Sequence, residues 1–155
     1  MSLLNQQPEV LREKKKGDYL VENRMYVNAV RIYENALQKE DKEGLGEQFN
    51  GGIYHNMGCA YLNLFQFQEA ADCFWKAYEL LHTKQVYRHY LTASYMRNPQ
   101  EFPQICRKME VEAEEQEEII RNLEQSAKKA RKVSGEDTDG LLEQFIRDYH
   151  RSTGF

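Results

Sequence analysis

Apolar side chains recur at helical spacing along most of the chain. The clearest case lies between residues 69 and 81, where the apolar positions share one side of a helix and the charged positions lie off it. The apolar positions are Ala70, Cys73, Phe74, Ala77, Tyr78 and Leu81, and the charged positions are Glu69, Asp72, Lys76 and Glu79. Only three prolines interrupt such patterns in the 155 residues. We therefore predict an all-α protein.

A set of small and aromatic residues repeats along the chain at a fixed offset. Gly17, Ala29, Tyr33 and Ala36 recur 41 residues later as Gly58, Ala70, Phe74 and Ala77. A partial third copy follows, because Leu91, Thr92 and Tyr95 stand 34 residues after Met57, Gly58 and Tyr61. A glycine inside a helix costs about 1 kcal/mol relative to alanine. Gly58 therefore predicts a neighbouring helix too close for a side chain.

These residues resemble the tetratricopeptide repeat, a 34-residue helix–turn–helix unit. Residues 51–82 carry the resemblance best, with Tyr54 in place of the family's usual Trp and with Met57, Gly58, Tyr61, Ala70, Phe74 and Ala77 on the pattern. Residues 8–40 keep the small and aromatic positions but have Lys16 and Leu20 where Leu and Tyr are usual. Residues 85–99 begin a degenerate third unit. The resemblance implies a right-handed superhelix of stacked antiparallel helix pairs.

The domain organisation follows from the repeats. The 41-residue offset exceeds the family period by seven residues, which we place in a longer loop at residues 40–52 because Gly44, Gly46, Gly51 and Gly52 break helices. Residues 1–99 then form the repeats. Residues 100–155 form a long charged helix and a short amphipathic helix, which we expect to pack on the repeats as one domain.

The C-terminal third differs from the rest in charge and pattern. Residues 1–99 carry 12 Lys/Arg and 12 Asp/Glu, whereas residues 100–155 carry 9 and 13. We predict one uninterrupted helix from about Phe102 to Lys132, with acidic residues early and basic residues late, as the helix macrodipole favours. We expect Thr138 to cap a last helix with an apolar face made of Leu141, Leu142, Phe145, Ile146 and Tyr149.

An apolar face of this size is rarely exposed on a monomer, so we expect the face of the last helix to pack against another apolar surface. The alternatives are folding back on the long helix, which we favour, filling the groove of the repeats, and pairing with a second subunit in a homodimer. Deletion of residues 136–155 is expected to lower solubility or stability.

Composition excludes several classes of function. No apolar run approaches the roughly 18 residues that a membrane span needs. The three cysteines lack CxxC spacing, which favours reduced thiols in the cytoplasm. The basic run Lys14-Lys15-Lys16 is short and flanked by Glu13 and Asp18, so we predict no nucleic-acid binding. No catalytic motif is present, and we expect neither an enzyme nor a cofactor.

The resemblance implies an interaction module or scaffold that holds an extended or helical segment of another protein in a concave groove. Mapped position by position, the groove would be lined by Lys14, Asp18, Val21, His55, Asn56, Cys59, Asn63, His89, Tyr90, Ala93 and Arg97. One subfamily grips C-terminal carboxylates with Lys, Asn and Arg. Asp18 replaces one Asn of that set, and Val86 and Tyr90 replace two cations, so we do not predict a receptor for chaperone tails.

Two alternatives to a binding module stay open. The first is a self-associating structural protein that exchanges its C-terminal helices. The second is a metal protein or enzyme that uses His55, His89 and Cys59. His55 and His89 occupy equivalent steps 34 residues apart and would face each other across one layer, but the sequence shows no further ligand beside them, and Cys59 lacks a recognisable catalytic partner. We favour polar residues that line the groove and predict no metal.

Overall fold

The structure is a computed structural model that describes residues 8–43 and 45–134, with side chains at 8–39 and 45–125. These residues form helices joined by short turns, and they contain no strand, which confirms the all-α prediction. The helices are α1 (Glu9–Glu22), α2 (Tyr26–Glu43), α3 (Glu47–Asn63), α4 (Phe67–Leu81), α5 (Lys84–Arg97), α6 (Phe102–Lys108) and α7 (Ala113–Ser134). The chain divides into two compact units between Tyr90 and Leu91.

In the first unit, the helices pack as two successive hairpins. Helix α1 packs on α2 and α3 packs on α4, while α3 also contacts both α1 and α2. The core between them contains small, aliphatic and aromatic side chains from all four helices. Its buried members are Val10, Leu20, Ala29, Val30, Tyr33, Ala36, Ile53, Met57, Ala60 and Cys73. Burial of this apolar stripe, which no single helix can cover, holds the hairpins together.

Both hairpins close with the same turn. Arg24 and Phe65, 41 residues apart, each have a positive φ of 60°. In the first turn the amide of Met25 donates to the carbonyl of Leu20 at 2.8 Å, and in the second the amide of Gln66 donates to the carbonyl of Tyr61 at 3.0 Å. This is the Schellman motif, which satisfies carbonyl groups at a helix C-terminus. The repeated sequence therefore has a repeated backbone.

Glycine sets the distance between the helices of each hairpin. A Cβ atom on Gly17 would lie 2.5 Å from Cε1 of Tyr33, and one on Gly58 would lie 2.7 Å from Cε1 of Phe74. Both aromatic rings are fully buried. The prediction that Gly58 faces a helix too close for a side chain is confirmed, and Gly17 has the equivalent surroundings.

The prediction of a long glycine-rich loop at residues 40–52 was wrong. Helix α2 continues to Glu43 and α3 begins at Glu47, so Gly51 and Gly52 are helical. Compared with α4 and α1 at the 41-residue offset, α2 is three residues longer at its end and α3 is three residues longer at its start. Gly51 is buried against Leu81, which leaves no room for a side chain there. Packing therefore overrides the low helix propensity of glycine.

The second unit contains the end of α5, then α6 and α7. Its buried side chains include Leu91, Tyr95, Phe102, Cys106 and Ile119. The rings of Tyr95 and Phe102 meet edge to face with their centroids 5.2 Å apart. This contact joins α5 to α6 within the unit.

The prediction of one helix from about Phe102 to Lys132 was wrong, because the chain turns at residues 109–112. Glu110 has a positive φ of 56°, and the amide of Val111 donates to the carbonyl of Cys106 at 2.9 Å. This third Schellman turn ends α6 after only seven residues. Burial of Val111 and Phe102 stabilises the turn, although no glycine marks it. The predicted final helix lies outside the described residues.

Candidate functional site

Nine of the eleven residues predicted to line a groove belong to the first unit. They come from α1, α3 and the start of α5, and all are half-buried except the exposed Asn63. We call this set the inner face; it consists of Lys14, Asp18, Val21, His55, Asn56, Cys59, Asn63, His89 and Tyr90. The other two residues, Ala93 and Arg97, belong to the second unit.

A carboxylate occupies the centre of the α1 part of the inner face. Asp18 accepts hydrogen bonds from Lys14 Nζ at 2.9 Å, from the Tyr33 hydroxyl at 2.5 Å and from Asn56 Nδ2 at 2.9 Å. The three donors come from α1, α2 and α3, so one carboxylate links three helices. Burial raises the pKa of Tyr33, and the hydrogen bond to Asp18 adds to the rise. Tyr33 therefore remains a donor across the physiological range.

This cluster limits what the inner face can bind. Lys14 and Asn56 are the two residues that fit the carboxylate-gripping pattern, yet both already donate to Asp18. Val86, at a position where that pattern has a cation, is 2% exposed. A carboxylate ligand would have to displace Asp18 from its donors and meet its negative charge. The cluster is better suited to positioning α1, α2 and α3.

Two histidines meet at the α3–α5 part of the inner face. Nε2 of His55 and Nδ1 of His89 are 2.8 Å apart, and the two rings meet edge to edge with nearly parallel planes, at an interplanar angle of 13° and with centroids 5.0 Å apart. Both rings also pack against Phe74, at centroid distances of 5.8 and 5.4 Å. The prediction that His55 and His89 face each other is confirmed.

Burial favours the uncharged form of both histidines. It lowers the pKa of His55 and His89 below the ordinary value of 6.5, with a further lowering from the facing His89 in the first case and from Arg88 in the second. A neutral imidazole has one donor and one acceptor nitrogen, which is what a hydrogen bond between two histidines requires. In this bond one facing nitrogen donates its proton and the other accepts with its lone pair, so a metal ion held by both nitrogens would replace the hydrogen bond and move the donor's proton to its other ring nitrogen.

Cys59 lies one helical turn beyond His55 on α3. Its Sγ atom and one ring nitrogen from each of His55 and His89 all lie within 4.8 Å of one another. Burial raises the pKa of the Cys59 thiol to about 11, so the thiol is protonated at neutral pH and is a poor nucleophile. The sequence analysis named these three residues together only as an alternative, and the structure brings their side chains together.

The remaining groove predictions have different surroundings. Tyr90 packs on Trp75, with ring centroids 5.1 Å apart, and Asn63 donates to the backbone carbonyl of Cys59 at 2.8 Å. Ala93 is fully buried and offers no surface to a ligand, which corrects its assignment to the groove. Arg97 donates to Glu101 at 3.4 Å.

Sequence reasoning missed Tyr33 as a hydrogen-bond donor to Asp18 and Trp75 as the ring that packs on Tyr90. Tyr33 was assigned only a packing role, although a tyrosine at a buried repeat position needs a partner for its hydroxyl. Trp75 is 40% exposed and falls off the apolar stripe of α4. An exposed tryptophan beside a predicted groove was the available signal.

Comparisons with protein-family models, with curated proteins and with solved structures gave no match to this chain. Within residues 8–43 and 45–134, none of the helices has both the length and the apolar character required to cross a membrane.

Proposed function

We propose that this chain is a non-enzymatic protein-interaction module that resembles tetratricopeptide repeats. Its stacked hairpins form a right-handed superhelix, and the inner face binds an extended or helical segment of another protein. The same proposal excludes nucleic acid as the ligand. It rests on the chemistry of the inner face and on the repeated geometry of the two hairpins.

Repetition supports the stacked arrangement. The Gly17–Tyr33 and Gly58–Phe74 contacts recur at the same offset as the Arg24 and Phe65 turns. Units of this kind bury their apolar stripes against one another, and their equivalent helices lie side by side. The first helix of each hairpin thereby contributes to a common surface.

The observation that carries the proposal is that α1, α3 and α5 contact one another in order through side chains of the inner face. Asn56 on α3 reaches Asp18 on α1, and His55 on α3 reaches His89 on α5. Side chains 34 or 38 residues apart thus meet in order along one surface. This surface presents amide, imidazole and aromatic groups, which suit the backbone and side chains of a peptide.

The charges and protonation states of the inner face favour a partner segment that carries little charge. Asp18 and Lys14 form an ion pair, burial favours the neutral form of both histidines, and the thiol of Cys59 is protonated at neutral pH. A partner segment would bind through its backbone groups and through apolar side chains placed against Val21 and Tyr90. A charged terminus would gain little from this face.

Asn63 offers the sharpest test because it is exposed on the inner face. We expect Asn63→Arg to abolish co-precipitation of specific partners from the native host, since a long charged side chain would occupy the partner's place. Asn35→Arg is the matched control, because Asn35 is also exposed but lies on α2. Quantitative mass spectrometry of wild type and both variants identifies the partners concerned.

The outcome separates three cases. Partners lost with Asn63→Arg and retained with Asn35→Arg support the inner face. Partners retained by both variants, and by the double variant Asn56→Ala/Tyr90→Ala, contradict it. A wild-type chain that captures only itself, with light scattering showing a dimer, would favour the self-association alternative.

A further inference from the structure

We propose that His55, Cys59 and His89 form a site for one divalent transition-metal ion, with zinc the best suited. The site would join α3 to α5 within the first unit. It uses three residues of the inner face, but its assembly needs no partner segment, so it can be tested apart from the proposed binding function.

Placement of the three ligands is the first support. His55 and Cys59 are four residues apart on α3, so their side chains project from the same side of the helix. The start of α5 brings His89 to the same point, with its Nδ1 atom 2.8 Å from Nε2 of His55. All three ligand atoms lie within 4.8 Å of one another.

Only small shifts convert this cluster into a coordination sphere. Zinc bonds of about 2.0–2.1 Å to nitrogen and about 2.3 Å to sulfur place two nitrogens roughly 3.3 Å apart and nitrogen and sulfur roughly 3.6 Å apart in a tetrahedron. The histidine nitrogens must therefore separate by about 0.5 Å, and the sulfur must approach by about 1 Å at most. The two rings must also turn so that both lone pairs point at one ion.

The donor set selects the kind of ion. Imidazole and thiolate favour zinc, cobalt, nickel and copper, whereas magnesium and calcium prefer oxygen ligands. The neutral histidines lose no proton on binding, although the one that donates in the His55–His89 bond must carry its proton on the other ring nitrogen. The thiol of Cys59 releases its proton to solvent and binds as a thiolate. That negative charge offsets the cation beside Arg88. Three protein ligands leave the fourth position to water.

Cobalt provides a spectroscopic test on the full chain. After treatment with a chelator and a reductant, titration with Co²⁺ should saturate at one ion per chain and produce a thiolate-to-cobalt charge-transfer band with visible bands of tetrahedral cobalt. Zn²⁺ should displace cobalt and remove these bands, whereas Mg²⁺ should leave them unchanged. Absence of the charge-transfer band in the folded wild type would overturn the proposal.

Variants assign the ligands. Cys59→Ser should remove the charge-transfer band, and His55→Gln and His89→Gln should each weaken cobalt binding by about tenfold or more. Cys73→Ser and His82→Asn are matched controls and should bind cobalt as the wild type does, because neither residue belongs to the cluster. A band that survives Cys59→Ser, or that disappears in Cys73→Ser, would place the metal elsewhere and refute the assignment.

Cysteine alkylation of the wild-type protein tests the site even if the variants fail to fold. Zn²⁺ should slow alkylation of Cys59 in the wild-type protein, while alkylation of Cys73 and Cys106 serves as the internal reference in the same mass spectrum. Equal rates for Cys59 with and without zinc would contradict the proposal.

Discussion

The ring of Phe74 occupies the space in which a side chain of Gly58 would lie. A Cβ atom at residue 58 would stand 2.7 Å from Cε1 of Phe74, and the ring is fully buried and cannot move toward solvent. The contact between Gly17 and Tyr33 is its counterpart in the preceding hairpin. Each hairpin is therefore closed by one glycine and one aromatic ring.

We expect Gly58→Ala to lower the free energy of unfolding by about 1–2 kcal/mol, because overpacking at Phe74 outweighs the gain in helix propensity. Urea denaturation measures this change. Gly52→Ala in the same helix is the control, since its Cβ would meet only the flexible end of Lys14, at 3.3 Å. That variant should be neutral or more stable by up to about 1 kcal/mol. Equal losses in both variants would contradict the close-contact explanation.

Arg24 occupies a left-handed conformation that favours glycine. We expect Arg24→Gly to raise the free energy of unfolding by about 0.5–1 kcal/mol, because glycine adopts a positive φ without a steric penalty. Arg24→Ala keeps the penalty and removes the side chain, so it should show no gain. If Arg24→Ala stabilised the protein as much as Arg24→Gly in thermal denaturation, the cause would be the side chain and not the backbone.

Asp18 is expected to contribute most among the polar side chains of the inner face. Asp18→Ala would leave Lys14, Tyr33 and Asn56 without their acceptor and should lower the free energy of unfolding by about 2 kcal/mol. Tyr33→Phe removes a single donor and should cost about 1 kcal/mol. Chemical denaturation of the two variants compares these losses. An Asp18→Ala variant as stable as the wild type would show that the cluster does not hold the helices.

Lys39 ties α2 to α1 through two carboxylates. Its Nζ atom lies 2.7 Å from Glu9 and 2.6 Å from Glu13. Lys39→Met should lower stability by less than Asp18→Ala does, because the pairs are partly exposed and solvent weakens them. Lys84→Met, which changes an exposed lysine of α5, is the control for loss of charge.

Acid should weaken this link between α1 and α2. The hydrogen bond and charge of Lys39 lower the pKa of Glu9 below its ordinary value of 4.5. Its contribution is therefore complete above pH 4.5 and is lost as the pH falls through the lowered pKa. The melting temperature of wild type should fall more steeply below pH 4.5 than that of Lys39→Met. Parallel curves would contradict the assignment.

The hairpins and their closest contacts could be predicted because they depend on local periodicity and on small residues at matched intervals. Gly17, Gly58 and the facing of His55 and His89 are examples. The tertiary partners of Asp18 could not be predicted in the same way. The hydroxyl of Tyr33 reaches Asp18 from another helix, and only the packing of α1 on α2 brings the two groups together.

Two errors of prediction share a physical cause. Glu110 carries no turn signal, yet it adopts the left-handed conformation because the Schellman bonds and the burial of Val111 stabilise the end of α6. Gly51 carries a helix-breaking signal, yet it is helical because Leu81 packs against its backbone. In both places tertiary contacts outweigh local propensity.

Helices α2 and α3 extend toward each other beyond their counterparts, while the turns and glycine contacts at their far ends stay the same. The hairpin is thus the repeated packing module of the first unit, and the joint between hairpins differs from it in length. Adding or removing residues at this joint would therefore leave the glycine–aromatic contacts that close each module unchanged.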